Sequence, residues 1–217
     1  MTSISAELSS SKDQMMEAII RAGVTDPRVL SAMENTPREL FMAPTFVERA
    51  YENNAVPIGH HQTISQPEVV ALMSEALNVG ERSKVLELGT GSGYQSAILA
   101  PLCRRLYTTE RIKDLHTVAL QRFQKLEIRN ITAVLADGSL GWPEQAPFDR
   151  IIVTAAAVDV PPLLLEQLVI GGIMVIPVGL ADNDQRLIRV VRTEEGAETE
   201  DLGGVRFVPL LPGLAGN

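Results

Sequence analysis

The chain has 217 residues, 45% of them hydrophobic, with 19 basic against 27 acidic side chains and a formal net charge of −8. That length suits one domain with a small appendage. No run of Lys and Arg forms a basic stripe, and 4% aromatics are too few for a base-stacking platform, so no nucleic-acid partner is expected. The lone cysteine, Cys103, excludes an intramolecular disulfide framework and a cysteine-rich metal site, and it fits a reducing compartment.

The first segment, Met1 to Gln14, is polar and lacks the basic, apolar, small-residue order of a signal peptide. A cytoplasmic location is the expectation. Met15, Met16, Ile19 and Ile20 then form an apolar stripe at helical spacing. Asp26-Pro27 reads as a cap followed by proline at the first helical position, ahead of Val29, Leu30 and Met33. From residue 12 to about 80 the signals are helical only, punctuated by Pro37, Pro44 and Pro57.

From Ser83 onward short apolar runs alternate with helical stretches. Strands are predicted at Lys84–Leu88, Arg105–Thr109, Thr132–Ala136, Arg150–Thr154 and Ile173–Val178, with helices at Tyr94–Leu102 and Ile112–Leu126. This alternation predicts an α/β fold with a mostly parallel sheet and helices on both faces. Residues 1–80 are expected to form a helical cover and 81–217 the core of one structural unit. Leu168 to Ala181 is charge-free and apolar but broken by Gly171-Gly172, Pro177 and Gly179, so it reads as buried core and no membrane span is expected. Leu187–Arg192 and Val205–Leu210 are predicted to pair antiparallel across an acidic loop, Thr193 to Asp201.

The sharpest feature is Val85-Leu86-Glu87-Leu88-Gly89-Thr90-Gly91-Ser92-Gly93-Tyr94. A buried strand runs into three alternating glycines, which permit a tight turn and close approach of the backbone to a ligand. Tyr94 stands where the dinucleotide fingerprint has its third glycine, and no Gly-Lys-Ser/Thr follows for a phosphate loop. The turn favours a nucleotide-type ligand and leaves open which one. Glu110 follows the next strand, where an acid can accept bonds from both ribose hydroxyls; it could equally cap the helix from Ile112. Asp137-Gly138 places another acid on the same rim, able to accept from an adenine amino group or simply to form an Asp-Gly turn.

Together these blocks resemble the S-adenosylmethionine-dependent methyltransferases, and in particular the protein-L-isoaspartate O-methyltransferase family. The resemblance is carried by Pro57-Ile58-Gly59 with Gln62-Thr63-Ile64-Ser65-Gln66-Pro67, by Val85–Tyr94, and by Asp137–Pro143 with Ala146-Pro147-Phe148-Asp149. Val153-Thr154-Ala155-Ala156-Ala157 and Val205-Arg206-Phe207-Val208-Pro209-Leu210 extend it, so that it spans about residues 36 to 210. It implies a seven-stranded Rossmann-like sheet with S-adenosylmethionine as cofactor. It further implies that Gly89, Thr90, Gly91 and Gly93 hold the methionine portion, and that Glu110, with Arg111 beside it, holds the ribose. Asp137 and Gly138 would approach the adenine, Gln62, Thr63 and Ile64 would border the methyl group, and Ser65 would handle the substrate.

The implied reaction is methyl transfer to the free α-carboxylate of L-isoaspartyl residues in damaged proteins. Such a carboxyl titrates near ~3.5 and is already ionised at neutral pH, so no general base is required. From spacing, Ser65 reads as an N-cap and Glu68 as its capping-box partner, with the helix start free to attract an anion. His60-His61 and Glu68 depart from the family's usual residues; the histidines lack metal-site spacing, and no metal is expected. His116 is expected to be exposed and Cys103 packed. Two other readings stand beside this one: the same fold acting on another carboxylate, or a non-catalytic module that binds a nucleotide. The sequence leaves the oligomeric state open, a monomer included.

Overall fold

The computed structural model describes residues 2–180 and 185–216. Helix α1, Thr2–Arg21, buries Met15 and Ile19, while Ile20 at the edge of the predicted stripe stays exposed. Helix α2, Pro27–Asn35, begins as its sequence requires. Asp26 accepts from the Arg28 backbone N–H at 2.8 Å, Pro27 takes the first helical position, and Val29, Ala32 and Met33 face inward.

The helical reading of the region up to residue 80 fails between 56 and 64. Strands β1, Val56–Gly59, and β2, Gln62–Ile64, form an antiparallel hairpin. His60 and His61 turn its corner with φ of 52° and 57°, the backbone that a two-residue hairpin loop needs. Asn-Gly would have announced that turn; a His-His pair does not. Helix α3, Pro67–Ala76, follows.

The main sheet contains β3 (Lys84–Leu88), β4 (Arg105–Glu110), β5 (Ile131–Leu135), β6 (Phe148–Val153), β7 (Leu168–Val178), β8 (Gln185–Arg192) and β9 (Ala197–Val205). Their spatial order is β5-β4-β3-β6-β7-β8-β9, parallel as far as β7 and antiparallel beyond it. Helices α4 (Tyr94–Leu99), α5 (Lys113–Lys125) and α6 (Pro162–Glu166) connect the parallel strands. This is the mostly parallel seven-stranded Rossmann-like sheet that the sequence pattern predicts. Successive residues of β3, β6 and β7 enter opposite cores. Val85, Ile152 and Val175 pack with the N-terminal helices, whereas Leu86, Ile151 and Met174 pack with Leu164 of α6. The N-terminal segment and the sheet therefore share one hydrophobic core. The order in which strands are added reverses between the parallel neighbours β3 and β6, the place where open α/β sheets bind ligands in a crevice at the carboxyl ends of their strands.

The last strand lies earlier than predicted. Most of the expected acidic loop is β9 itself, an exposed edge strand that needs no apolar face. Residues after Val205 leave the sheet and return to the end of β6. Ala156 N–H donates to the Val208 carbonyl and Leu210 N–H to the Ala156 carbonyl, each at 2.8 Å. This return brings Phe207 to Leu211 to the crevice. No helix among the described residues is long and apolar enough to cross a membrane.

Candidate active site

β3 ends in the glycine turn, with φ of +97° at Gly89, +53° at Gly91 and +87° at Gly93. Gly89 and Thr90 both donate their backbone N–H to the Thr109 carbonyl, at 2.9 and 3.0 Å, tying the turn to the end of β4. The three glycines do different work. A Cβ on Gly89 would collide with the Thr154 hydroxyl, which donates to the Leu88 or Gly89 carbonyl. Gly91 borders the crevice and has only Ile58 of the hairpin nearby, at 3.7 Å from where a Cβ would stand. At Gly93 a Cβ would lie 2.8 Å from the Phe123 ring of α5, and this glycine is not part of the cavity lining. Gly93 is held against α5, at a position where the resemblance expects part of the cofactor cradle.

Glu110 stands at the end of β4, almost fully buried. Its Oε2 accepts from Gly91 N–H at 2.7 Å and its Oε1 from Ile112 N–H at 2.9 Å. The carboxylate organises the start of α5, and Glu110 also lines the cavity. Beside it, Thr109 is part of the lining, and its fully buried hydroxyl has no hydrogen-bond partner among the described residues. Gln62, Thr63, Ile64 and Ser65 enter from the hairpin side, and Thr90, Arg111 and Gly138 complete the same lining.

Asp137 is placed differently. Its carboxylate accepts from Ser139 N–H and Oγ, at 2.9 and 2.6 Å, and from Gly213 N–H at 2.6 Å. Partial burial opposes ionisation there, but these hydrogen bonds hold the carboxyl below the usual range. Gly138 lines the cavity, whereas the Asp137 side chain is spent on fixing the Gly138 turn and the C-terminal segment. Arg111 shares that task, donating to the Gly213 carbonyl at 2.9 Å.

A second cavity adjoins the first and shares Thr63, Ser65, Thr154, Phe207 and Val208 with it. Gln66, Val69 and Arg206 lie on its far side. Ser65, half-buried, stands where the two meet. It is not the N-cap of α3, and Glu68 is not its capping partner. Gln66 holds the cap position without a side-chain bond. Asn53 from the preceding segment accepts from Glu68 N–H at 3.2 Å and donates to the Glu68 carboxylate at 2.6 Å. The chain thereby frees the Ser65 hydroxyl from capping. It also makes the helix start a poor site for an anion. Pro67 has no N–H, Glu68 N–H is taken, and the Glu68 carboxylate occupies the first turn.

Behind the glycine turn, Glu87 is fully buried, and burial pushes its pKa up to about 7, against hydrogen bonds from Ser96 and Thr108 that lower it. An unfolded glutamate titrates near ~4.3. Between those values the folded chain binds the extra proton, so stability falls as pH rises from about 5 to 7 and the loss is complete above. Glu87→Gln should therefore gain on the native chain with pH, the difference growing by about 3 kcal/mol between pH 5 and 8. Thermal or urea melts at both pH values would read this, and a pH-independent difference would refute it. Cys103 is buried and its thiol is pushed up to about 12 by that burial, as suits a packed residue. His116 is half-buried, contrary to expectation, with its Nε2 enclosed and unpartnered. His60 instead pairs with Asp114 of α5 at 3.3 Å. Among the described residues no group of three or more His, Cys, Asp or Glu is placed to hold a metal.

A crevice at the switch point of this sheet, with a glycine turn after β3 and an acid ending β4, defines a nucleotide-binding α/β protein, with a second cavity beside that site. Similarity to known proteins narrows the class to the S-adenosylmethionine-dependent methyltransferases. The sequence matches the profile of the family described as Protein-L-isoaspartate(D-aspartate) O-methyltransferase (PCMT) over residues 10–214. It is 58% identical to the protein-L-isoaspartate O-methyltransferase of Paramagnetospirillum magneticum over 202 residues, covering 93% of this chain and 94% of that one. To the protein of the same name from Ruegeria pomeroyi it is 59% identical over 203 residues, 94% of each chain. A solved protein-L-isoaspartate O-methyltransferase superposes with a TM-score of 0.84 at 25% identity, covering 94% of this chain and 67% of that one. The S-adenosyl-L-homocysteine complex of a Plasmodium falciparum chain assigned to the same family gives 0.76 at 25% identity, covering 91% and 97%. The chain belongs to the protein-L-isoaspartate O-methyltransferase family and is an S-adenosylmethionine-dependent protein carboxyl methyltransferase.

Proposed function

We propose that the glycine-turn cavity holds S-adenosylmethionine and that the adjoining cavity receives the isoaspartyl segment, the two reactants meeting beside Ser65. The observation that carries this reading is the wall of Thr63, Ser65 and Thr154 shared by both cavities. The lining fits the cofactor's chemistry. Gly91 allows close approach, and Glu110 retains lone pairs for ribose hydroxyls. When bound, S-adenosylmethionine supplies a methyl group on a positively charged sulfur.

Gln62, Thr63 and Ile64 border the methyl group from the hairpin. Ser65 orients the acceptor α-carboxylate through its hydroxyl, and Phe207 and Val208 close the site to water. The acceptor oxygen is already ionised, so the residues act by alignment and exclusion of solvent, an effect of proximity. Gly138 lies against the adenine side, and Asp137 acts there indirectly by fixing that turn. Isoaspartyl peptides and proteins are the partners; the acidic chain offers no nucleic-acid surface. The single buried cysteine supports a reducing, cytoplasmic setting.

The test is methyl transfer from labelled S-adenosylmethionine to an isoaspartyl peptide and to its aspartyl twin. Methylation of the isoaspartyl form alone is the expected result. Equal rates would move the chain to a general carboxyl methyltransferase, and no transfer with intact cofactor binding would make it a binding module.

A further inference from the structure

Arg38 lies outside both cavity linings, yet it is completely buried. Its guanidinium donates from Nε to the Ala50 carbonyl and from Nη2 to the Ser65 carbonyl, both at 2.8 Å. It lies 4.8 Å from the centre of the Tyr94 ring, and its Nη1 has no hydrogen-bond partner. The neighbouring carboxylate, Glu39, accepts from the Tyr51 hydroxyl at 2.6 Å and makes no ion pair with it. A buried guanidinium without a carboxylate is costly, and two carbonyls could be satisfied by a neutral donor. The two carbonyls and the face of Tyr94 offset part of that cost, and an anion close by would offset more.

The reaction brings one. The acceptor is a carboxylate, and the start of α3 is a poor site for it: Pro67 has no N–H, Asn53 takes the Glu68 N–H, and the Glu68 carboxylate repels an anion. The chain as a whole carries −8 and offers no general attraction. Arg206, in the lining of the second cavity, is exposed and its field is screened by solvent. Arg38 is shielded from that screening and grips the backbone of the residue at which the two cavities meet.

We propose that Arg38 is a positioning residue for the acceptor: it fixes the Ser65 backbone and supplies the buried positive charge that selects an ionised carboxylate at that point. This rests on the placement of the isoaspartyl segment beside Ser65. Arg38→Met removes charge and donors at similar volume, and Arg38→Lys keeps the charge while losing the fork. The ligands are an isoaspartyl peptide with its free α-carboxylate and the same peptide as its α-amide, which cannot be ionised. Binding of each is measured with the cofactor product bound, alongside calorimetric affinity for S-adenosylmethionine and kinetics of methyl transfer.

In the native chain the carboxylate peptide should bind more tightly than the amide; equal binding would mean that the acceptor placement itself is wrong. In Arg38→Met the carboxylate preference should disappear, and kcat/KM should fall about 30-fold or more, chiefly through KM. Affinities for the amide peptide and for S-adenosylmethionine should stay within about threefold, with Arg38→Lys recovering much of the preference. A folded Arg38→Met that keeps the native preference overturns the proposal. So does transfer of the loss to Arg206→Gln, which would place the charge at the rim. Should Arg38→Met fail to fold, Arg38→Lys decides alone: retained preference with lowered kcat supports the proposal, and native kinetics overturn it. Failure of both variants to fold would make Arg38 a structural residue and overturn it as well.

Discussion

Gly89→Ala should yield a chain that melts roughly 5 °C lower and binds S-adenosylmethionine at least about 100-fold more weakly. The backbone at Gly89 has φ of +97°, where an L side chain is strained by about 1–3 kcal/mol. The new methyl would also strike the Thr154 hydroxyl, which is held against the carbonyls of Leu88 and Gly89. Relief is possible only by rotating Thr154 or by lifting the turn away from Thr109. Either movement changes the wall that both cavities share. Calorimetry for binding and a thermal melt for stability give the two readings separately. Full affinity in a destabilised chain would show that the turn adjusts without moving the cavity wall.

Glu110→Gln probes the same turn through charge. An amide can accept at only one of its two polar atoms, so its NH2 group must face the N–H of either Gly91 or Ile112. The lost charge-assisted bonds, together with those offered to the ribose, amount to about 3 kcal/mol, or roughly 100-fold in cofactor affinity. Since Glu110 also organises the first turn of α5, a modest loss of stability should accompany the change. Titration of S-adenosylmethionine into the variant checks it, and an affinity within about threefold of native would remove Glu110 from the ribose site.

How far the sequence reveals this arrangement depends on what kind of signal each part leaves. β3 and β6 are legible because buried strands leave short apolar runs, Val85-Leu86 and Ile151-Ile152-Val153, and the glycine turn because only glycine readily tolerates its backbone. The hairpin of Val56 to Ile64 is not. Its strands are three and four residues long, and its corner uses two histidines in a conformation they seldom adopt. β9 is obscured for the opposite reason, since an exposed edge strand rich in Glu looks like a loop. At the site, Ser65 and Glu68 carry the spacing of a capping box, but Asn53, twelve residues before Ser65, takes the role. A partner brought in by tertiary folding overrides local spacing. Arg38, next to Pro37, carries no local signal of burial, and only the Ser65 and Ala50 carbonyls reveal it. The unpaired Thr109 hydroxyl is likewise visible only once β4 is in place beside β3.

The acidic strand at the sheet's margin bears on what an enzyme of damaged proteins must avoid. Aged polypeptides expose loosened segments with free backbone groups, and any open strand is a template on which they can nucleate. β9 meets solvent along its length and carries Glu198, Glu200 and Asp201 there, with Glu200 and Asp201 paired to arginines of β8. Such a charged border is a poor template for strand addition. The edge that would otherwise recruit damaged clients into a shared aggregate is thereby kept from pairing with them.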